Sequence, residues 1–292
     1  MTAVTKLSAV DAMLENAVRD IGIPPCPAIL DRINTEMHRD EPDLMHLSNL
    51  IGSDVALAAG LISTANSPYF GFRRRVRSVR ETLLMLGLDV ASRAVAGLVL
   101  RKLFPSSLIL ERFWDASACI SRLSGWLAQH PEHGIRIRAD EAYTFGLFRD
   151  CGIPVMMNRF PRYHEVLKTA NESKEVDFTL VEDRHCPTNH VVIGYLLAQS
   201  WRLPEETCLA IRYHHDYRAL QEQACSAQLP VATLGLIATV QLAEHLFQHH
   251  TGLSQTQEWI KAGDVCLQLL DISAERLDRL YEESAPIIAS DA

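Results

Sequence analysis

Five arginines fall close together at Arg73, Arg74, Arg75, Arg77 and Arg80, directly after Tyr69, Phe70 and Phe72. Guanidinium forks match phosphate and carboxylate oxygens in pairs, and aromatic rings offer faces on which bases stack. The chemistry this pattern suits is the binding of an anion: nucleic acid, a dinucleotide messenger, or an acidic surface on another protein. The plainer reading is a solvated basic loop, because runs of like charge usually face water.

A second stretch, 144–152, places charge at the end of a buried helix. Phe145, Leu147 and Phe148 are apolar, Gly146 permits close backbone approach, and Arg149 and Asp150 follow at the C-terminal end. Gly152 reads as the helix stop. A helix this apolar belongs in the middle of a domain with other helices around it. Further on, His245 and His249-His250 have the i,i+4 spacing of metal-binding helices. With no glutamate between them and no third ligand, they read as surface histidines. Gly-x-Ser-x-Gly, Walker-type and Gly-x-Gly-x-x-Gly patterns are absent, which leaves acyl hydrolysis and phosphate-cradling loops without support.

The elements that must position these groups are helical. Val10, Met13, Leu14 and Val18 share one helical face. Prolines 24, 25 and 27 punctuate a linker, and Pro27 opens a helix over 28–38. Asp43 and Asp54 begin the next two helices. Asn66-Ser67-Pro68 breaks the chain, and Ser78-x-x-Glu81 forms a capping box for a helix that stops at Gly87. Asp89 is expected to cap a helix to Phe104, and Pro105-Ser106-Ser107 marks a boundary. Helices are then expected over 108–126, 142–149, 154–158 and 161–170. Thr188 caps one through His190 and Ala198, and Pro204 opens one carrying Cys208, Ile211 and His215. Three more fill 230–288, broken near Gly252 and Asp271.

Composition bounds the rest. The 292 residues are 48% hydrophobic and 22% charged, enough for one large or two small domains with a sizeable core. A net charge of −8 argues against general nucleic-acid binding and against attraction to an anionic membrane. The seven cysteines are scattered singly, without a Cys-x-x-Cys pair, which suits a reducing cytoplasm. No signal peptide is evident, and the apolar stretch 231–243 is too short to span a bilayer. A soluble cytoplasmic protein is expected, with no membrane partner.

The order of landmarks resembles the HDOD family, bacterial signalling domains related to HD and HD-GYP phosphohydrolases. These landmarks are the proline-rich entry, Ser53-Asp54, Ala65-Asn66-Ser67, Ser78-Val79 and Met85-Leu86-Gly87. Downstream come Phe113-Trp114, Gly146-Leu147-x-x-Asp150-x-Gly152, His190-x-x-x-Gly194, Trp201-x-Leu203-Pro204 and Ile211-x-x-His214-His215. Each is weak alone; together, in family order from Pro24 to His215, they make a specific match. The resemblance implies an all-α multi-helix bundle with an HDOD domain over 8–217. Its N-terminal lobe would be 8–104 and its HD-like lobe 108–217, with a helical extension over 228–289 packed on the latter.

The resemblance also implies where a metal site would stand. HD hydrolases hold their metals with a first His on one helix, a His-Asp pair on a second, and later His and Asp residues. Here Ala116 falls at the first His and Arg149-Asp150 at the pair. A methyl group has no lone pair, and a guanidinium stays protonated and cannot coordinate. Asp150, His190, His214 and His215 remain as vestigial positions, hydrogen-bonded among themselves, with Arg149 paired to a carboxylate. No catalytic residue, bound metal or cofactor is expected. The expected function is a non-catalytic regulatory module acting on other signalling proteins. Two alternatives stay open. One is a residual metal-dependent phosphohydrolase acting on nucleotides or cyclic dinucleotides. The other is a nucleic-acid or messenger binder that uses Arg73–Arg80.

Overall fold

The computed structural model describes residues 22–105, 107–129, 136–221 and 229–289. The expected helix around Val10 to Val18 and the start of the N-terminal lobe lie outside the described residues. Among those described, every regular element is a helix.

The first lobe is built from four short helices, α1 (Ala28–Met37), α2 (Leu44–Gly52), α3 (Val55–Ala65) and α4 (Val79–Leu86), and one longer helix, α5 (Leu88–Leu103). Their starts follow local chemistry. Asp43 Oδ1 accepts from the amides of Met45 and His46, and Asp54 Oδ1 from those of Ala56 and Leu57. Each satisfies donors that a first helical turn leaves open. The Ser78 hydroxyl accepts from Glu81 N, and the Glu81 carboxylate accepts from Arg77 N one residue before the cap. Asp89 does not cap α5; the helix starts one residue earlier, and Asp89 lies in its first turn, where it suits the positive end of the helix dipole.

The second lobe begins with the longest element, α6 (Leu108–Gln129), which returns against α7 (Ala139–Phe148) as a hairpin. Then come α8 (Gly152–Arg159), α9 (Tyr163–Glu172), α10 (Phe178–His185), α11 (His190–Ser200), α12 (Glu205–Tyr213) and α13 (Tyr217–Gln221). Gly152 does not stop a helix; it starts α8. The reason is steric. A Cβ built on Gly152 would lie 2.0 Å from His190 O and 2.8 Å from Gly194 N, so only glycine lets α8 and α11 pack at this distance. Asn189, not Thr188, caps α11, accepting from Val192 N. Helix α10 carries no long apolar period and was not among the expected elements.

The extension consists of α14 (Val231–Thr251), α15 (Glu258–Leu269) and α16 (Ala274–Ala289). Helix α14 packs on α6, α7 and α12, and α15 and α16 lie against it. Gly252 takes the left-handed conformation that closes α14. His245 stacks on Trp259 with ring centroids 4.1 Å apart, and His250 Nε2 bonds Tyr281 O at 2.8 Å. His249 and His250 are exposed, as expected of surface histidines, while His245 is half-buried, and the contacts of His245 and His250 tie α14 to α15 and α16.

One hydrophobic core runs from Ile23 to Leu280 and takes in residues of both lobes and the extension. The lobes are also tied by polar contacts. Arg93 on α5 pairs with Asp140 on α7 at 3.0 Å, and Trp201 Nε1 donates to Pro24 O. No single described helix is long and apolar enough to cross a membrane.

Candidate functional site

Helices α7, α11 and α12 converge on one point. Asp150 sits just past the end of α7, His190 is the first residue of α11, and His214 and His215 follow α12. His214 Nε2 lies 3.2 Å from Asp150 Oδ1, His190 Nε2 lies 3.5 Å from the same oxygen, and the two Nε2 atoms are 3.5 Å apart. One ligand atom from each of Asp150, His190, His214 and His215 can be chosen so that all lie within 4.8 Å of one another. The histidines are buried, and the Asp150 side chain is 17% exposed.

The remaining nitrogens fix the imidazole tautomers. His214 Nδ1 faces the carbonyl of Ile211 at 2.9 Å, and a carbonyl can only accept, so Nδ1 carries a proton. His190 Nδ1 donates to Glu182 Oε2 at 2.7 Å, while Tyr163 donates to the other oxygen of Glu182. His215 Nδ1 bonds Glu258 Oε2 at 2.7 Å, and Lys261 Nζ bonds Glu258 Oε1 at 2.7 Å. The Nε2 atoms of His190 and His214 thus turn toward Asp150.

Arg149 closes the other side. Its Nη2 reaches Asp150 Oδ2 at 2.7 Å and Glu244 Oε1, on α14, at 2.7 Å; Nε adds a 3.0 Å bond to Asp150. Gln241 donates to the second oxygen of Glu244. Arg149 is 8% exposed. Ala116 lines a separate groove of about 370 Å³ with Cys119, Phe247 and Ile288, a groove to which Asp150, His190 and His214 do not contribute. The arginines at 73, 74, 75, 77 and 80 are exposed on the first lobe.

Electrostatics follow from this geometry. Burial alone would raise the Asp150 carboxyl, but the Arg149 guanidinium and the hydrogen bond from the protonated His190 outweigh it and hold the group well below its usual range. For His190, burial disfavours the charged ring; Glu182 and Asp150 win, and its pKa rises to about 9. His214 and His215 are pushed down, by burial first, so both stay neutral. Four carboxylates, Asp150, Glu182, Glu244 and Glu258, therefore face two permanent cations, Arg149 and Lys261. Buried charge needs compensation. The His190 proton supplies one positive charge; a divalent cation in its place would supply two.

The donor set fits one cation. Bonds of 2.0–2.2 Å at the tetrahedral angle give ligand separations of roughly 3.4 Å, close to the 3.2–3.5 Å between these donor atoms. A second cation does not fit on Asp150, because the Arg149 guanidinium already covers Oδ2.

Sequence reasoning missed Tyr163, Glu182, Glu244 and Glu258. A buried glutamate in a helix carries no local signal; the one available hint was Glu244 inside the otherwise apolar stretch of α14.

The HDOD domain profile matches residues 23–217. This chain belongs to the HDOD family. Its Glu244 and Glu258 thus lie beyond the matched domain. Among curated proteins, an uncharacterized protein of Treponema pallidum (strain Nichols) is 26% identical over 219 residues. The match covers 74% of this chain but only 41% of that relative. An HDOD domain protein of unknown function from Geobacter sulfurreducens has a similar structure, with a TM-score of 0.64 and 23% identity over 97% of this chain and 98% of that one. A Marinobacter aquaeolei VT8 structure, named for a signal transduction protein, gives 0.68 and 21%. It covers 94% of this chain and 59% of that one. A Shewanella amazonensis SB2B structure, named for a metal-dependent phosphohydrolase, gives 0.65 and 17%, over 97% and 99%. At these identities the likeness is one of fold.

Proposed function

We propose that this HDOD chain is a non-catalytic regulatory module of bacterial signalling that works by binding other signalling proteins. The observation that carries this reading is the Arg149 guanidinium on Asp150 Oδ2 and Glu244. By the family resemblance, Arg149 stands where a hydrolase supplies a ligand imidazole. A fixed positive charge there neutralises the carboxylates but offers no lone pair, and it repels a further cation. Burial points the same way, because His190 and His214 are 0% and 1% exposed and leave a phosphoester little access. The test is incubation of wild-type protein and Asp150→Ala with Mn²⁺ and a cyclic dinucleotide, with products separated by chromatography. Equal, background turnover in both supports the reading; turnover lost in Asp150→Ala overturns it.

A second reading has its own observation. The Nε2 atoms of His190 and His214 converge on Asp150 Oδ1, while their Nδ1 atoms are held from behind by Glu182 and a carbonyl. Such backing is what metal-ligating histidines use. Asp150, His190 and His214 would hold one divalent cation, which would polarise a phosphoryl oxygen or activate a water as a residual phosphohydrolase requires. Glu182 and Ile211 would then fix the ring orientations, and Arg149 would bind negative charge beside them.

A further inference from the structure

The arginine run is shown to solvent on a braced backbone. Asn66 Nδ2 donates to Val76 O at 2.9 Å, and Asn66 Oδ1 accepts from Val76 N at 2.8 Å, while the Val76 side chain is buried. With the capping box at Ser78–Glu81, this staples both ends of the loop before any partner arrives. A surface ordered in advance loses little entropy on binding.

Three observations define what such a surface fits. First, no described carboxylate pairs with the side chains of Arg73, Arg74, Arg75, Arg77 or Arg80, although the chain carries 36 acidic residues. Second, exposed apolar side chains follow Arg80 along α4. Leu84 stands one turn after Arg80 on α4 and is 61% exposed, and Met85 is 46% exposed. Third, the aromatic rings are already occupied. Phe70 stacks on Phe72 at 6.0 Å and packs against Tyr69 and Tyr143, so its ring is taken up by neighbouring rings rather than held open for a base. A long polyanion would also run onto a chain of net charge −8. Arginine beside exposed leucine and methionine matches the composition of protein interfaces.

We propose that the Arg73–Arg80 run with Leu84 and Met85 is a docking surface for a protein segment that presents carboxylates beside an apolar anchor. This deepens the binding role proposed above and rests on it. Carboxylates of the partner take the guanidinium forks, and its apolar side chain covers Leu84 and Met85.

The test is fluorescence anisotropy of the full chain with a labelled peptide of alternating Glu and Leu turns. Comparators are the same peptide with Gln for Glu, an oligothymidylate, and phosphatidylserine vesicles. The expected result is binding to the Glu peptide that weakens with salt and falls by about tenfold or more in Arg74→Glu/Arg77→Glu. Leu84→Ser should weaken it at high salt while leaving the salt dependence unchanged. Circular dichroism checks that both variants stay folded. Indifference of the peptide to all these changes overturns the proposal. So does tighter, equally arginine-dependent binding of the oligothymidylate or the vesicles. The hydrolysis test does not involve this surface, so turnover would sink the non-catalytic reading whatever the peptide does, and failed docking would leave that reading standing.

Discussion

Glu244 accepts a hydrogen bond from Arg149 at 2.7 Å, across ninety-five positions of chain. Its side chain is 6% exposed, and that of Arg149 is 9% exposed. The helical extension thus reaches into the HDOD domain at the one residue whose charge decides what the site can do. The pair also sets the first prediction.

Arg149→Ala should cost about 3–5 kcal/mol of unfolding free energy, because it strands two buried carboxylates. Glu244→Ala should cost less, since Asp150 still holds the guanidinium. The double variant should lose less than the sum of the two, and denaturant unfolding of all four proteins measures the difference as a coupling.

Stability of metal-free protein should fall between neutral and alkaline pH. The folded pKa of His190 is raised to about 9 from an ordinary 6.5. A raised pKa adds stability that is fully present below 6.5 and is lost as pH climbs through 9. The shift corresponds to roughly 3 kcal/mol at most. Asp150 and Glu182 are shifted down, so their contributions vanish only in acid, outside this window. Urea unfolding from pH 6 to pH 10 in chelator should show the loss in wild type. His190→Asn should make it shallower without abolishing it, because the buried Cys151, Cys208 and Cys266 thiols, also raised, lose stability above about pH 9. A slope unchanged between about pH 7 and pH 9 in His190→Asn would refute the assignment.

Tyr163→Phe removes the hydroxyl that bonds Glu182, a side chain 0% exposed. The expected cost is about 1–3 kcal/mol, the penalty of a buried acceptor left short of a donor. A change within experimental error in the same unfolding assay would mean that water replaces the hydroxyl freely.

Gly152→Ala places a methyl group against the backbone of α11, at His190 O and Gly194 N. Backbone cannot rotate away, so α8 and α11 must separate. The variant should lose about 1–3 kcal/mol or more, and the His190 and His214 imidazole resonances should shift as their approach to Asp150 opens. Wild-type resonances in the variant would contradict this close packing of α8 on α11.

Much of the scaffold was legible because it is written locally. Asp43, Asp54 and Ser78 each accept from amides within three residues, so capping chemistry alone located three helix starts. Breaks at Gly252 and Asp271 were visible for the same reason, and both residues have positive φ. Asp150, His190 and His214 could be aligned only through the family landmarks; nothing within one helix says that they meet. Their supports were illegible. Glu182, Glu244 and Glu258 come from three helices and acquire meaning only through tertiary contact. Gly152 misled for a related reason: its use is the close approach of another helix, while its local signal is that of a helix end.

Calorimetric titration of Mn²⁺ into chelator-stripped wild-type protein tests the role of Arg149 most directly. If Arg149 is the resident positive charge at Asp150, the protein takes up no more than one equivalent, and any uptake disappears in Asp150→Ala. Two equivalents bound by wild-type protein would mean that the guanidinium leaves the carboxylate to make room for a second metal, which contradicts a fixed arginine at this site.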